Sequence, residues 1–160
     1  MVAKINTDIN ETDINALVAR LNAIPESAPP EQTANELFPD DKEGQREYLA
    51  QTGALQKALD KERAPTKSGP QLILPALPVV VAAVVPVIAR CVIGGLGSAG
   101  INEIRTLVRK GRRATAEERV HSFVSGCIRR VVPFLAKRLA RRFSRAIARL
   151  VLRIILSMRK

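Results

Sequence analysis

Residues 95–100 read Gly-Leu-Gly-Ser-Ala-Gly, the G-x-G-x-x-G spacing. Such a turn can cradle a pyrophosphate on backbone N–H groups when a strand feeds it and a helix leaves it. Residues 79–85 pass for the strand and residues 101–108 for the helix. Glu117 and Glu118 fall at the distance of a ribose-binding acid. They sit, however, in Thr115-Ala116-Glu117-Glu118, the form of a helix capping box, and the residues after it are helical in pattern. With no second parallel strand to complete a nucleotide fold, the spacing predicts a small-residue joint between two helices.

Other reactive side chains are few. Cys91 and Cys127 are the two thiols and His121 is the one histidine, too few for a zinc-type ligand set. Two cysteines in a small apolar module read either as a Cys91–Cys127 disulfide in an exported product or as two buried thiols in a reducing compartment. No Ser/His/Asp set or paired carboxylates appears in the basic half, so neither an enzyme nor a cofactor is expected.

The outstanding feature is charge. Through Thr66 the chain carries 7 basic against 12 acidic residues, a net of −5, and from Lys67 onward 19 against 3, a net of +16. A half this basic draws polyanions, either anionic lipid headgroups or nucleic acid. The absence of Trp, with one Tyr and four Phe, leaves few platforms on which single-stranded bases could stack.

The basic residues concentrate near the C-terminus in a helical pattern. Counted from Arg130 at 100° per residue, Lys137, Arg138, Arg141, Arg142, Arg145, Arg149 and Arg153 fall between about 340° and 140°, while Leu139, Phe143, Ile147, Leu150 and Ile154 fall between about 180° and 260°. One side is guanidinium with no acid to pair with it, and the other is hydrocarbon. With Arg129 and Arg130 just upstream, these residues form the candidate lipid-binding set, because a basic polar face opposite an apolar one suits a membrane interface. Arginine forks also engage phosphate bidentately.

The elements that must position these residues read as all-α. The N-terminus lacks a charged region followed at once by an apolar run, so no standard signal peptide is expected there. Ile14, Leu17, Val18 and Leu21 form a short amphipathic helix. Residues 25–30 form a linker, Thr33 to Glu36 suggest a second cap, and residues 41–63 are polar and weakened by Gly44 and Gly53. Residues 1–66 thus read as a weakly ordered, acidic, partly helical leader or regulatory region. The composition switches at Ala64-Pro65-Thr66-Lys67-Ser68-Gly69-Pro70, and residues 67–160 read as a cationic apolar helical module. Within it, residues 72–89 are free of charge, borderline in length for a bilayer and interrupted by Pro75, Pro78 and Pro86. Joints near residues 94–98, 111–115 and Pro133 divide the module into about four helices, the last one long, cationic and amphipathic.

This layout, an acidic region joined through a Pro/Gly boundary to a cationic two-cysteine helical module, resembles the precursor of a bacterial antimicrobial protein in plan. It departs from the common double-glycine leader, since Gly94-Gly95 lies inside the apolar module. The resemblance implies a bacteriocin-like, membrane-active product that binds anionic membrane lipids, with self-association and an immunity or export partner as further expectations. It would be secreted after processing or membrane-associated. Two alternatives stand beside it: a single-span or peripheral membrane anchor with a basic cytoplasmic tail, and a nucleic-acid-binding protein whose phosphate contacts make binding steeply salt-dependent.

Overall fold

A computed structural model describes residues 8–63, 80–133, 135 and 137–158. The expected all-α class is found. Among the described residues six helices follow one another: α1 (Glu11–Asn22), α2 (Pro30–Leu37), α3 (Lys42–Arg63), α4 (Val81–Arg109), α5 (Arg113–Val131) and α6 (Lys137–Ser157). The composition switch at residues 64–70 and the charge-free stretch up to residue 79 lie outside the described residues.

Helix boundaries follow local chemistry, sometimes against the capping pattern. Asn10 caps α1 in a reciprocal box: its side chain accepts from the Asp13 N–H, and the Asp13 carboxylate accepts from the Asn10 N–H. The Thr33–Glu36 cap does not form. Proline is preorganised for a first helical turn, so α2 starts earlier, at Pro30, and Thr33 is buried inside it. The Thr115–Glu118 box does not form either. Gly111, at φ 79°, closes α4, with its N–H bonded to Val108 O and the Arg112 N–H to Leu107 O. These two bonds make a Schellman motif. The chain then re-enters a helix at Arg113, leaving Thr115 within the first turn of α5 and not at its cap.

The joint predicted around residues 94–98 is real and narrower than expected. Helix α4 runs through it with a single break at Gly97, whose φ 66° and ψ −178° belong to a region open essentially to glycine alone. Two helical pieces, residues 81–96 and 98–109, therefore meet at one residue. Among the described residues there is no strand to supply a nucleotide-binding turn.

Helices α4 and α5 form an antiparallel hairpin, as do α5 and α6. The Cys91–Cys127 and Glu103–Arg119 pairs fix the first, and the Glu117–Arg149 pair fixes the second. One continuous core spans both charge halves. Ile14, Leu17, Leu37, Phe38, Tyr48 and Leu55 from the acidic region join Val85, Ile88, Ile93 and Ile104 of α4, and Phe143, Ile147, Leu150 and Ile154 of α6. The described part of the acidic region is helical and packs into this core, where burying each large apolar side chain is worth about 1.5–3 kcal/mol. That gain outweighs the roughly 1 kcal/mol of helix propensity lost at Gly44 or Gly53, and α3 runs unbroken through both.

Candidate functional site

The candidate lipid-binding residues separate by face as the helical angles require. Leu139, Phe143, Ile147, Leu150 and Ile154 are all buried, and they pack within the protein's own core. Opposite them, Arg129, Arg130, Lys137, Arg138, Arg141, Arg142 and Arg145 are exposed. These seven cations gather where the C-terminus of α5 turns into the N-terminus of α6, and none of them makes an ion pair among the described residues.

Two members of the set behave differently. Arg149 donates to Glu117 of α5 at 3.1 Å. Arg153 is clasped by the start of α3: its Nε donates to Asp41 Oδ2 at 2.6 Å and its Nη2 to Asp41 Oδ1 at 3.0 Å. Glu47 and Glu43 stand behind at 3.4 and 3.7 Å. The expectation that this face has no acid to pair with is thus corrected at two positions. The acids come from α3 and α5, too far along the chain for local spacing to reveal. Hydrogen bonds from the Arg153 guanidinium hold the Asp41 carboxyl below its usual range, against a smaller opposing effect of burial.

Arg129 and Arg130 sit favourably in the last turn of α5, but the placement of the five cations in α6 opposes the stability of that helix. Lys137 and Arg138 occupy the first turn of α6, where no acidic residue offsets the partial positive charge of the helix N-terminus. Lys137 and Arg141, Arg138 and Arg142, and Arg141 and Arg145 are like charges one turn apart, a spacing that costs isolated helices about 0.2–0.5 kcal/mol per pair. The apolar burial beneath is several times larger and holds the helix. What remains is a concentrated positive field aimed at solvent, suited to focusing anions.

The second feature of the site is the way the N-terminal region completes α4. Pro86 has no N–H, so the carbonyl of Ala82, four residues earlier, has no helical donor. The buried Tyr48 hydroxyl of α3 donates to it at 2.6 Å. Burial pushes the phenol pKa well up, so the proton stays on. The start of α4 has no side-chain cap of its own, and its Val81 N–H donates to Gln56 Oε1 of α3 at 2.8 Å. At the Gly97 break, Glu11 of α1 accepts from the Ser98 N–H at 3.4 Å and from Ser98 Oγ at 2.8 Å. The Asn102 amide pairs both ways with the backbone of Ile9, accepting at 2.7 Å and donating at 2.8 Å. Each interruption of the apolar helix is met by a polar group from the acidic region. The Ser98 hydroxyl thus donates a hydrogen bond to the Glu11 carboxylate, which does the capping.

Cys91 and Cys127 are at bonding distance, with sulfurs 2.10 Å and Cα atoms 6.1 Å apart, which ties the first piece of α4 to α5. Phe123 of α5 is 40% exposed, with its ring outside Gly95, where an added Cβ would meet it at 3.3 Å. A second group of cations, Arg109, Lys110, Arg112 and Arg113, is exposed at the α4–α5 turn, outside the candidate lipid-binding set. Between residues 81 and 109, α4 is long and apolar enough to cross a membrane, with a mean hydropathy of 1.9 over its most apolar stretch. No three His, Cys, Asp or Glu side chains among the described residues converge on a metal-sized site.

No protein-family model matches the chain, and no curated protein or solved structure is significantly similar to it.

Proposed function

We propose that this chain is a cationic, membrane-active protein of bacteriocin-like character, held closed by its own acidic N-terminal region. The observation that carries the reading is α6: seven cations in and beside it face solvent without an ion pair among the described residues, the five within it at a cost to the helix, while its hydrocarbon face is covered by the other helices. The exposed cations recruit the protein to anionic headgroups, and the covered faces of α4 and α6 are the apolar material that a bilayer would receive once α1–α3 move away. Cysteines at bonding distance fit export to an oxidising compartment.

The test is dye release from vesicles of phosphatidylglycerol and of phosphatidylcholine by the full chain with both cysteines oxidised. Leakage confined to the anionic vesicles is expected. No leakage from either composition, together with retention on nucleic acid that falls steeply with salt, would replace this reading with the phosphate-binding one.

The apolar length of α4 favours a second reading, a single-span anchor whose basic residues stay on the cytoplasmic side. Alkaline carbonate extraction of cells expressing the full chain separates the two. An anchor remains in the membrane pellet before any trigger, whereas a closed membrane-active protein is released.

A further inference from the structure

We propose that Gly97 is a hinge which Glu11, Ser98, Asn102 and Ile9 hold bent, and that undocking α1 lets α4 straighten into one membrane-spanning helix. The inference rests on the membrane-active reading above and names the step that would convert the closed form into the inserted one.

Length is the first constraint on α4. The hydrocarbon core of a bilayer is about 30 Å thick. At 1.5 Å per residue, the piece before the break, residues 81–96, reaches about 24 Å and falls short. The uncharged side of the second piece adds residues up to Asn102 before Glu103, and the joined run 81–102 reaches about 33 Å. Bent, neither piece crosses; straight, the apolar run does. The break thus sits where it decides whether α4 can span.

The bend is also supplied from outside the helix. A break at Gly97 exposes N–H groups at the start of the second piece, and the Glu11 carboxylate occupies that position. Asn102, one turn further on, reads both backbone polar groups of Ile9, so the residues just before α1 are fastened to the same piece. Arg90, the one charge within the run 81–102, is hydrogen-bonded to Asn22 at the far end of α1. Thus α1 holds the second piece of α4 at one end and the run's single cation at the other. An arginine in mid-membrane is costly, which keeps the bent form as the resting one until an anionic surface competes for the chain. In the straight form Gly97 takes ordinary helical angles, the Ser98 N–H finds its carbonyl within α4, and Glu11 is released.

The experiment uses the full chain with Cys91 and Cys127 paired and spin labels at positions 80 and 109 introduced as non-canonical residues. The distance between them is measured in solution and on phosphatidylglycerol vesicles. A straight α4 places these backbone positions about 44 Å apart, and the bent form places them closer. The expected result is a short distance in solution that lengthens toward that value on vesicles. Glu11→Gln combined with Asn102→Ala should lower the lipid concentration needed by about tenfold, the scale of a lost helix cap. Gly97→Ala, which cannot comfortably hold φ 66°, should lengthen the distance in solution without lipid. A distance that stays short in both variants, in solution and on vesicles, overturns the hinge. If the Gly97→Ala protein does not fold, the double variant carries the same reading. If α4 straightens in Gly97→Ala while the wild type never binds vesicles, the hinge stands and the membrane reading of the previous section fails.

Discussion

Asp41 is asked to do two jobs, and its replacement tests both. Its Oδ1 accepts from the Gly44 N–H at 2.9 Å, capping α3, while the same carboxylate takes the two-pronged Arg153 fork from α6. Asn is as good a cap as Asp, so Asp41→Asn keeps the first job and loses the charge, whereas Asp41→Ala loses both. The clasp is about three-quarters buried at each side chain, with exposures of 28% for Arg153 and 27% for Asp41. A charge-assisted bond in that setting is worth about 1.5–3 kcal/mol, and Glu47 and Glu43 remain near Arg153 to recover part of it. We therefore expect Asp41→Asn to lose about 1–2 kcal/mol and Asp41→Ala about 2–4 kcal/mol, the difference being the cap. Urea unfolding followed by circular dichroism at 222 nm reads both as shifts of midpoint at constant slope. The pH dependence carries a fixed sign. The folded carboxyl has its pKa lowered, so its stabilisation is present above the ordinary carboxylate range and is lost as pH falls through the lower folded value. Asp41→Asn should accordingly flatten the acid limb of the stability profile. An Asp41→Asn midpoint equal to wild type at neutral pH would show that the clasp does not fasten the acidic region to α6.

Three further outcomes follow from the same contacts. Gly44→Ala should destabilise in the same urea assay, despite alanine's better helix propensity, because its Cβ would stand 2.5 Å from Asp41 Oδ2, 2.7 Å from the Phe38 ring and 2.9 Å from Arg153 Nε. Tyr48→Phe leaves the Ala82 carbonyl without the donor that Pro86 denies it, and should cost about 1–3 kcal/mol by denaturant melt. Replacing Cys91 and Cys127 by alanine opens a loop of sequence separation 36, and on the chain-entropy estimate should cost about 3–4 kcal/mol, read as a lower thermal midpoint.

Helix class, the amphipathic stripe of α6 and the joint at the glycines were legible because each depends on local periodicity or on the conformational range of a single residue type. Leu139, Phe143, Ile147, Leu150 and Ile154 all turned inward as their shared angle required. What local spacing could not show was who covers them. Beside α5 and α4, part of the cover comes from α3, and Phe38, Tyr48 and Leu55 join the same core from a region whose polar composition reads as solvated, since a few large side chains at the right places suffice to dock a helix. The Asp41–Arg153 pair joins residues 112 positions apart, and the Asn102–Ile9 pair residues 93 apart. One such pairing did leave a trace in the sequence: a proline four residues after Ala82 guarantees a carbonyl in need of an outside donor, and the chain's single tyrosine supplies it. The missed capping boxes show the reverse case, in which Pro30 and Gly111 set the boundaries before the capping residues could act.

The central claim is that the exposed cations at the α5–α6 turn bind anionic bilayers, and vesicle flotation tests it most directly. The full oxidised chain is compared with a variant carrying Arg138→Gln, Arg141→Gln, Arg142→Gln and Arg145→Gln, on phosphatidylglycerol-rich and on phosphatidylcholine vesicles at fixed salt. Each cation near such a surface contributes about 1 kcal/mol, so removing four should weaken binding to the anionic vesicles by about three orders of magnitude. The thermal midpoint should hold or rise as like-charge crowding is relieved. Equal binding of wild type and variant, or wild-type binding that ignores lipid charge, would contradict the account.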